Sequence, residues 1–165
     1  MIQLIKMLRI DDRLIHGQVA VTWSKQLEVT RIVVVSDTIS EDEIQVSALK
    51  MAAPEGIKAF VLSVDKAAKM LNDPRADKLK VLLVLNDPKQ VAALLAELIT
   101  KPAILDIANY GRVAGLDGRH KITDTVYLSD EEVQIFKDLA QKGDKFIYQP
   151  LPGDAAEPLD KLLEG

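Results

Sequence analysis

The chain has 165 residues, 48% of them apolar, 28% charged and only 4% aromatic, with a formal net charge of −4 and no cysteine. That length and aliphatic content support one folded domain with a substantial core and exclude a disordered chain. The acidic balance argues against a broad nucleic-acid surface, which needs a basic face to replace counterions. The lack of cysteine rules out disulfides, zinc-thiolate sites and thiol nucleophiles.

Met1 to Ile10 is apolar but short. It lacks a small-residue cleavage pattern and meets Asp11, Asp12 and Arg13 at once, so it reads as a strand over Gln3–Ile10 and not as a signal peptide. Leu14–Leu27 carries Leu14, Ile15, Val19, Trp23 and Leu27 at helical spacing. Arg31–Val35 is β-branched and predicts a buried strand. Ser40 followed by Glu43 has the form of a capping box and predicts a helix over Ser40–Met51. Ala59–Leu62 predicts a strand, Ser63–Leu71 a helix capped by Ser63, and Leu79–Leu85 another strand. Asn86-Asp87-Pro88 is a turn into a helix through Val91–Ile99, with Pro88 suited to the first helical position.

Ala103–Ile107 predicts the next strand. Asn109–Arg119, holding three of the eight glycines, reads as a long loop before a strand over Ile122–Leu128. Ser129 with Glu132 starts a helix to Gln141 that ends before Gly143. Phe146–Tyr148 is a short last strand. Pro150, Pro152 and Gly153 break the chain, and Asp154 caps a final small helix to Leu163. The alternation of strand and helix predicts one α/β domain over residues 1–165, a mostly parallel sheet covered by helices on both faces. No apolar run approaches the ~20 residues needed to cross a bilayer.

In such sheets ligands sit beyond the carboxyl ends of the strands. Four polar loops fall there: Arg9–Gly17, Ser36–Ser40, Asn86–Pro88 and Asn109–Gly118. The first holds His16, one of only two histidines, with Arg9, Arg13, Asp11, Asp12 and Gly17 around it. A loop histidine is often merely solvated. At a strand-to-helix turn beside two arginines it suits a nucleophile working on phosphate. The helix beginning near Gly17 aims free N–H groups at an attached phosphoryl, Arg13 and Arg9 hold its oxygens, and Gly17 allows close backbone approach. At least one of Asp11 and Asp12 must turn away from the phosphoryl, either to an arginine or to the second imidazole nitrogen.

Ser36 is either a phosphoryl donor or part of a plain turn, and Asp37 either orients Arg13 or serves that turn. Asn86 is a residue of the helix start. Asn109, Tyr110 and Arg112 either line the site or face a protein partner. His120 reads as solvated and Trp23 as core. There is no G-x-x-x-x-G-K-S/T loop and no G-x-G-x-x-G fingerprint, so an ATP-using kinase lacks its usual parts. No metal or other cofactor is expected.

Arg-Ile-Asp-Asp-Arg-Leu-Ile-His-Gly-Gln-Val at positions 9–19 resembles the signature of the IIB component of the mannose/fructose/sorbose family of the bacterial phosphoenolpyruvate:sugar phosphotransferase system. The similarity continues through Trp23, Arg31–Asp37, Met51–Gly56 and Asn86-Asp87-Pro88, and fades to a pattern after residue 120. The resemblance implies a seven-stranded, mostly parallel sheet with an antiparallel edge strand. It implies that His16 takes a phosphoryl group through Nδ1 from the IIA component and gives it to a sugar held by the membrane IIC/IID components. Arg13 aligns with the phosphate-binding arginine, and Asp11, Ser36 and Asp37 with site loops. The protein is then cytoplasmic, reaches the membrane through partners, and stands as a chain separate from IIA. One departure is Asn109-Tyr110-Gly111-Arg112, where many relatives carry Asn-Val-Gly-Gly or Asn-Val-Gly-Asn. The alternative reading is a noncatalytic phosphate- or nucleotide-binding regulatory module.

Overall fold

Period-two alternation in the central strands sends side chains to two separate cores. Ile32 and Val34 of β2 (Arg31–Val35) join Met7 of β1 (Ile5–Asp11) and Val84 of β4 (Val81–Leu85) on one face. Val33, Val35, Leu8, Ile10, Leu83 and Leu85 point the other way. Strands buried on both faces have no solvent side, which is why they read as continuous apolar runs. The computed structural model describes residues 4–112 and 118–164.

The main sheet has seven strands in the order β3-β2-β4-β1-β5-β8-β9. Its outer members are β3 (Lys58–Leu62), β5 (Leu105–Asn109), β8 (Ile147–Tyr148) and β9 (Glu157–Pro158). All neighbours run parallel except β8 and β9. The expected antiparallel edge strand is therefore β9. It lies inside the segment expected to lead into the last helix, and its Pro158 is tolerated because an edge strand needs no donor on its open side. A separate antiparallel ladder pairs β6 (Arg119–Lys121) with β7 (Tyr127–Ser129), so the single strand expected over Ile122–Leu128 is replaced by a hairpin.

Helices α1 (Gly17–Leu27) and α2 (Glu43–Ala52) cover the first face through Trp23, Val46 and Leu49. The second face is covered by α3 (Val64–Asn72), α4 (Pro88–Glu97), α5 (Asp130–Gln141) and α6 (Leu159–Glu164). Ser63 caps α3, and Ser129 with Glu132 forms the expected capping box on α5. The cap of α2 is Asp42, not Ser40, whose hydroxyl instead donates to Asp37 O within a short 3₁₀ turn. Asp154 accepts from Leu151 N–H in the proline-rich turn and caps no helix.

The placement of the site follows from this layering. After β1 the chain leaves for α1 on the first face, while after neighbouring β4 it leaves for α4 on the second. The crevice between their carboxyl ends is a topological switch point, where open α/β sheets bind ligands.

Candidate functional site

The loop after β1 is shaped by two apolar residues. Leu14 and Ile15 are buried against Met7, Trp23 and Val84, so they belong to the core. Leu14 adopts φ +60, a left-handed conformation that a leucine reaches at a cost of roughly 1–3 kcal/mol. Burying two aliphatic side chains returns roughly 1.5–3 kcal/mol each, so burial wins. With those side chains turned inward, the chain presents His16, Gly17 and Gln18 to solvent. The helix expected from Leu14 therefore begins only at Gly17.

His16 is the N-cap residue of α1, in extended conformation, and its carbonyl accepts from Ala20 N–H at 3.3 Å. Its side chain does not cap the helix, and the first turn carries no carboxylate. Side chains cap all the helices from α2 to α5: Asp42, Ser63, Asp87 and Ser129. The N-terminus of α1 thus keeps its partial positive charge uncompensated beside an exposed imidazole.

Neither aspartate bonds that imidazole. Asp11 is fully buried and turns to the arginines. Its Oδ1 accepts from the Arg13 backbone N–H at 2.9 Å and from Arg13 Nε at 3.2 Å, and its Oδ2 from Arg13 Nη2 at 3.2 Å and Arg9 Nη2 at 3.3 Å. Asp12 Oδ2 accepts from Gly111 N–H at 2.9 Å, while Asp12 N–H donates to Asn109 O at 2.8 Å. With its amide oriented to satisfy both ends, Asn109 accepts from Arg13 Nε at 3.0 Å and donates to Thr125 O at 3.3 Å. The Arg13 side chain remains 39% exposed, so its outer edge faces solvent.

Several expected roles change. Arg9 is 3% exposed and engaged with Asp106, Asp11 and the Trp23 ring, so it does not stand at the rim to grip a phosphoryl. Asp37 does not orient Arg13. Its Oδ1 accepts from Val64 N–H at 2.9 Å, which ties it to the start of α3. Ser36 Oγ accepts from Ile39 N–H at 3.1 Å, the plain-turn arrangement. Tyr110 is buried rather than partner-facing, and its hydroxyl donates to Glu132, which Arg119 also pairs at 3.1 Å. Burial and the Glu132 carboxylate push the Tyr110 hydroxyl pKa up. Burial pushes Glu132 up too, but the bonds from Arg119, Tyr110 and Ser129 N–H outweigh it and hold the carboxyl below its ordinary value. Arg112 is exposed, and His120 is an exposed residue paired with Asp130.

A cleft of about 510 Å³ opens at the switch point, lined in part by Asp12, Ser36, Asn86, Gln90, Tyr110 and Glu132. Of the His16 loop only Asp12 contributes to it, so the imidazole stands beside the cleft and not inside it. Sequence reasoning missed Asp106. A lone carboxylate within an apolar strand was the available signal, because a buried charge demands a partner.

A family profile described as PTS system sorbose subfamily IIB component matches residues 5–165. The chain belongs to that family. The match runs past residue 120, where the motif similarity fades. This IIB component is 35% identical over 163 residues to a probable phosphotransferase enzyme IIB component of Streptococcus pyogenes serotype M6, covering 97% of this chain and 99% of that one. It is 34% identical over 135 residues to the mannose-specific EIIAB component of Escherichia coli K12, covering 82% of this chain and 41% of that longer protein. Among solved structures, the IIBSor domain of the sorbose permease from Klebsiella pneumoniae superposes with a TM-score of 0.89 at 32% identity, covering 97% of this chain and 96% of that one. As a IIB component it is a transferase of the phosphotransferase system, acting in sugar transport. Family membership gives no support to a noncatalytic binding module. No described helix is long and apolar enough to cross a membrane.

Proposed function

We propose that His16 is the residue through which this IIB component carries phosphoryl groups, as a protein-Nπ-phosphohistidine–sugar phosphotransferase. The observation that carries this reading is the start of α1, which lacks a side-chain cap and has the exposed imidazole as its N-cap residue. A phosphoryl group on that imidazole would take the place of the missing anion, a contact worth about 0.3–1 kcal/mol in exposed positions and up to about 2 when partly buried.

The Nδ1 lone pair attacks the phosphorus of a phosphohistidine on IIA. A new P–N bond forms, the bond to the donor imidazole breaks, and its electron pair returns to the donor. In the second half a sugar hydroxyl oxygen attacks the phosphoryl, the P–N bond breaks with its electron pair returning to Nδ1, and the hydroxyl proton ends on the released imidazole, which is left neutral. Arg13 neutralises oxygen charge through both passages, held by Asp11 so that it needs little reorganisation. Gly17, at φ +43, gives the backbone room at the reacting face. Two proteins must reach the same imidazole, which suits an exposed loop and transient contacts. We assign the donor to IIA, the acceptor to a sugar held by membrane IIC/IID components, and the working place to the cytoplasmic face of the membrane. The sugar is selected by those membrane components, since IIB meets only the reacting hydroxyl.

Incubation with phosphorylated IIA should add the mass of one phosphoryl group in an acid-labile, base-stable linkage. His16→Ala should abolish that gain, and normal phosphorylation of the variant would sink the assignment.

A further inference from the structure

Asp106 is the second residue of β5 and has no solvent exposure. The parallel register sets it opposite Arg9 of β1. Its Oδ2 accepts from Arg9 Nη1 at 2.8 Å, and its Oδ1 from Gln149 N–H at 2.9 Å. The second terminal nitrogen of Arg9 reaches Asp11 at 3.3 Å, and Asp11 holds Arg13 by three bonds. Four ionisable side chains therefore form an unbroken line from the sheet interior to Arg13, three residues before His16, and only the last is exposed. Buried ion pairs are weak evidence for stability, because apolar residues of similar volume serve a core at least as well. Asp106 and Arg9 are also out of reach of any bound phosphoryl. What the arrangement does supply is orientation. An exposed arginine would sample many rotamers, but this one is pinned to a carboxylate whose own plane is fixed from behind.

We propose that Asp106 is a positioning residue for phosphoryl transfer: acting through Arg9 and Asp11, it sets the guanidinium of Arg13 where it meets a phosphoryl group on His16. The proposal rests on the roles given above to His16 and Arg13.

The test measures phosphoryl uptake from phosphorylated IIA, per folded molecule, in Asp106→Asn, Arg13→Ala and the double variant. Asp106→Asn should lower kcat tenfold or more with the KM for IIA unchanged. The double variant should be no slower than Arg13→Ala alone, because the interior residue acts only through the exposed one. The ¹⁵N resonance of Arg13 Nε should also move in Asp106→Asn, which a purely structural role would not require. If Asp106→Asn does not fold, Arg9→Lys, which keeps a cation but loses the fork joining the two carboxylates, carries the same expectations. A folded variant with wild-type kcat, an unmoved Arg13 resonance, or a double variant slowed by the product of the single effects overturns the proposal. A wild-type rate in Arg13→Ala would instead overturn the role of Arg13 itself, so the two failures are distinguishable.

Discussion

The backbone N–H of Gly111 donates to Asp12 Oδ2 at 2.9 Å. Together with the Asp12 N–H bond to Asn109 O, it fastens the loop after β1 to the end of β5. Gly111 has φ +88, and a Cβ built there would lie 2.0 Å from the Tyr127 carbonyl oxygen. Gly111→Ala combines left-handed strain with a backbone collision. It should cost about 3 kcal/mol or more, read from the midpoint of urea unfolding. An unchanged midpoint would contradict the geometry.

His16→Ala should leave stability within about 0.5 kcal/mol of the parent, because the side chain is exposed and bonds nothing among the described residues. Loss of phosphoryl uptake in a variant that melts normally separates chemistry from folding. A large drop in melting temperature would mean that the imidazole has a packing role.

Arg112→Glu reverses an exposed charge near the site. If this cation meets IIA, the variant should raise the KM for phosphorylated IIA while sparing kcat. Wild-type transfer should also weaken with added salt more steeply than transfer by the variant. Identical salt profiles would remove Arg112 from the interface.

Ser129→Ala removes one half of the capping box on α5 and leaves the Glu132 N–H without its hydroxyl acceptor. The expected loss is about 1 kcal/mol, measured by denaturation. Phosphoryl transfer per folded molecule should not change.

Burial pushes the Asp106 carboxyl up to about 7 from its ordinary 3.8, against the pull of Arg9 and Gln149 N–H. Between those values the folded chain keeps a proton that the unfolded chain has released. Its share of stability therefore falls as pH rises from about 4 to about 7, with the full penalty present above that window. Asp106→Asn should flatten this slope relative to wild type in urea midpoints collected across it. A parallel slope in the variant would assign the titration elsewhere.

The alternation of apolar runs was enough to place the four inner strands, because strands buried on both faces are mostly apolar, with Arg9 of β1 and Asp106 of β5 as buried exceptions that did not break the pattern. The caps at Ser63 and Ser129 were legible for a local reason: each bonds a backbone N–H three residues on. Ser40 and Glu43 offered the same spacing, and Asp42 took the cap instead. The position of His16 followed from the motif, but the fates of the arginines did not. Nothing in the spacing of Arg9 and Arg13 says that one is buried and the other exposed. That depends on the register of β1 against β5, a contact between residues 97 positions apart. Strand β9 was illegible for a related reason, since two residues carry no periodicity and their pairing comes entirely from β8.

Trp23 is the only tryptophan in the chain and is 2% exposed. Its indole N–H donates to Pro150 O at 2.9 Å, and the Arg9 guanidinium lies 5.6 Å from the ring centroid. Indole emission responds to the electric field across the ring, and here a buried cation is among the nearest sources of that field. The molecule thus carries a single, buried indole set against Arg9, the second member of the line that runs from Asp106 to Arg13. Any event that draws Arg9 toward or away from Asp11, phosphorylation included, should be visible as a shift in intrinsic fluorescence without a label.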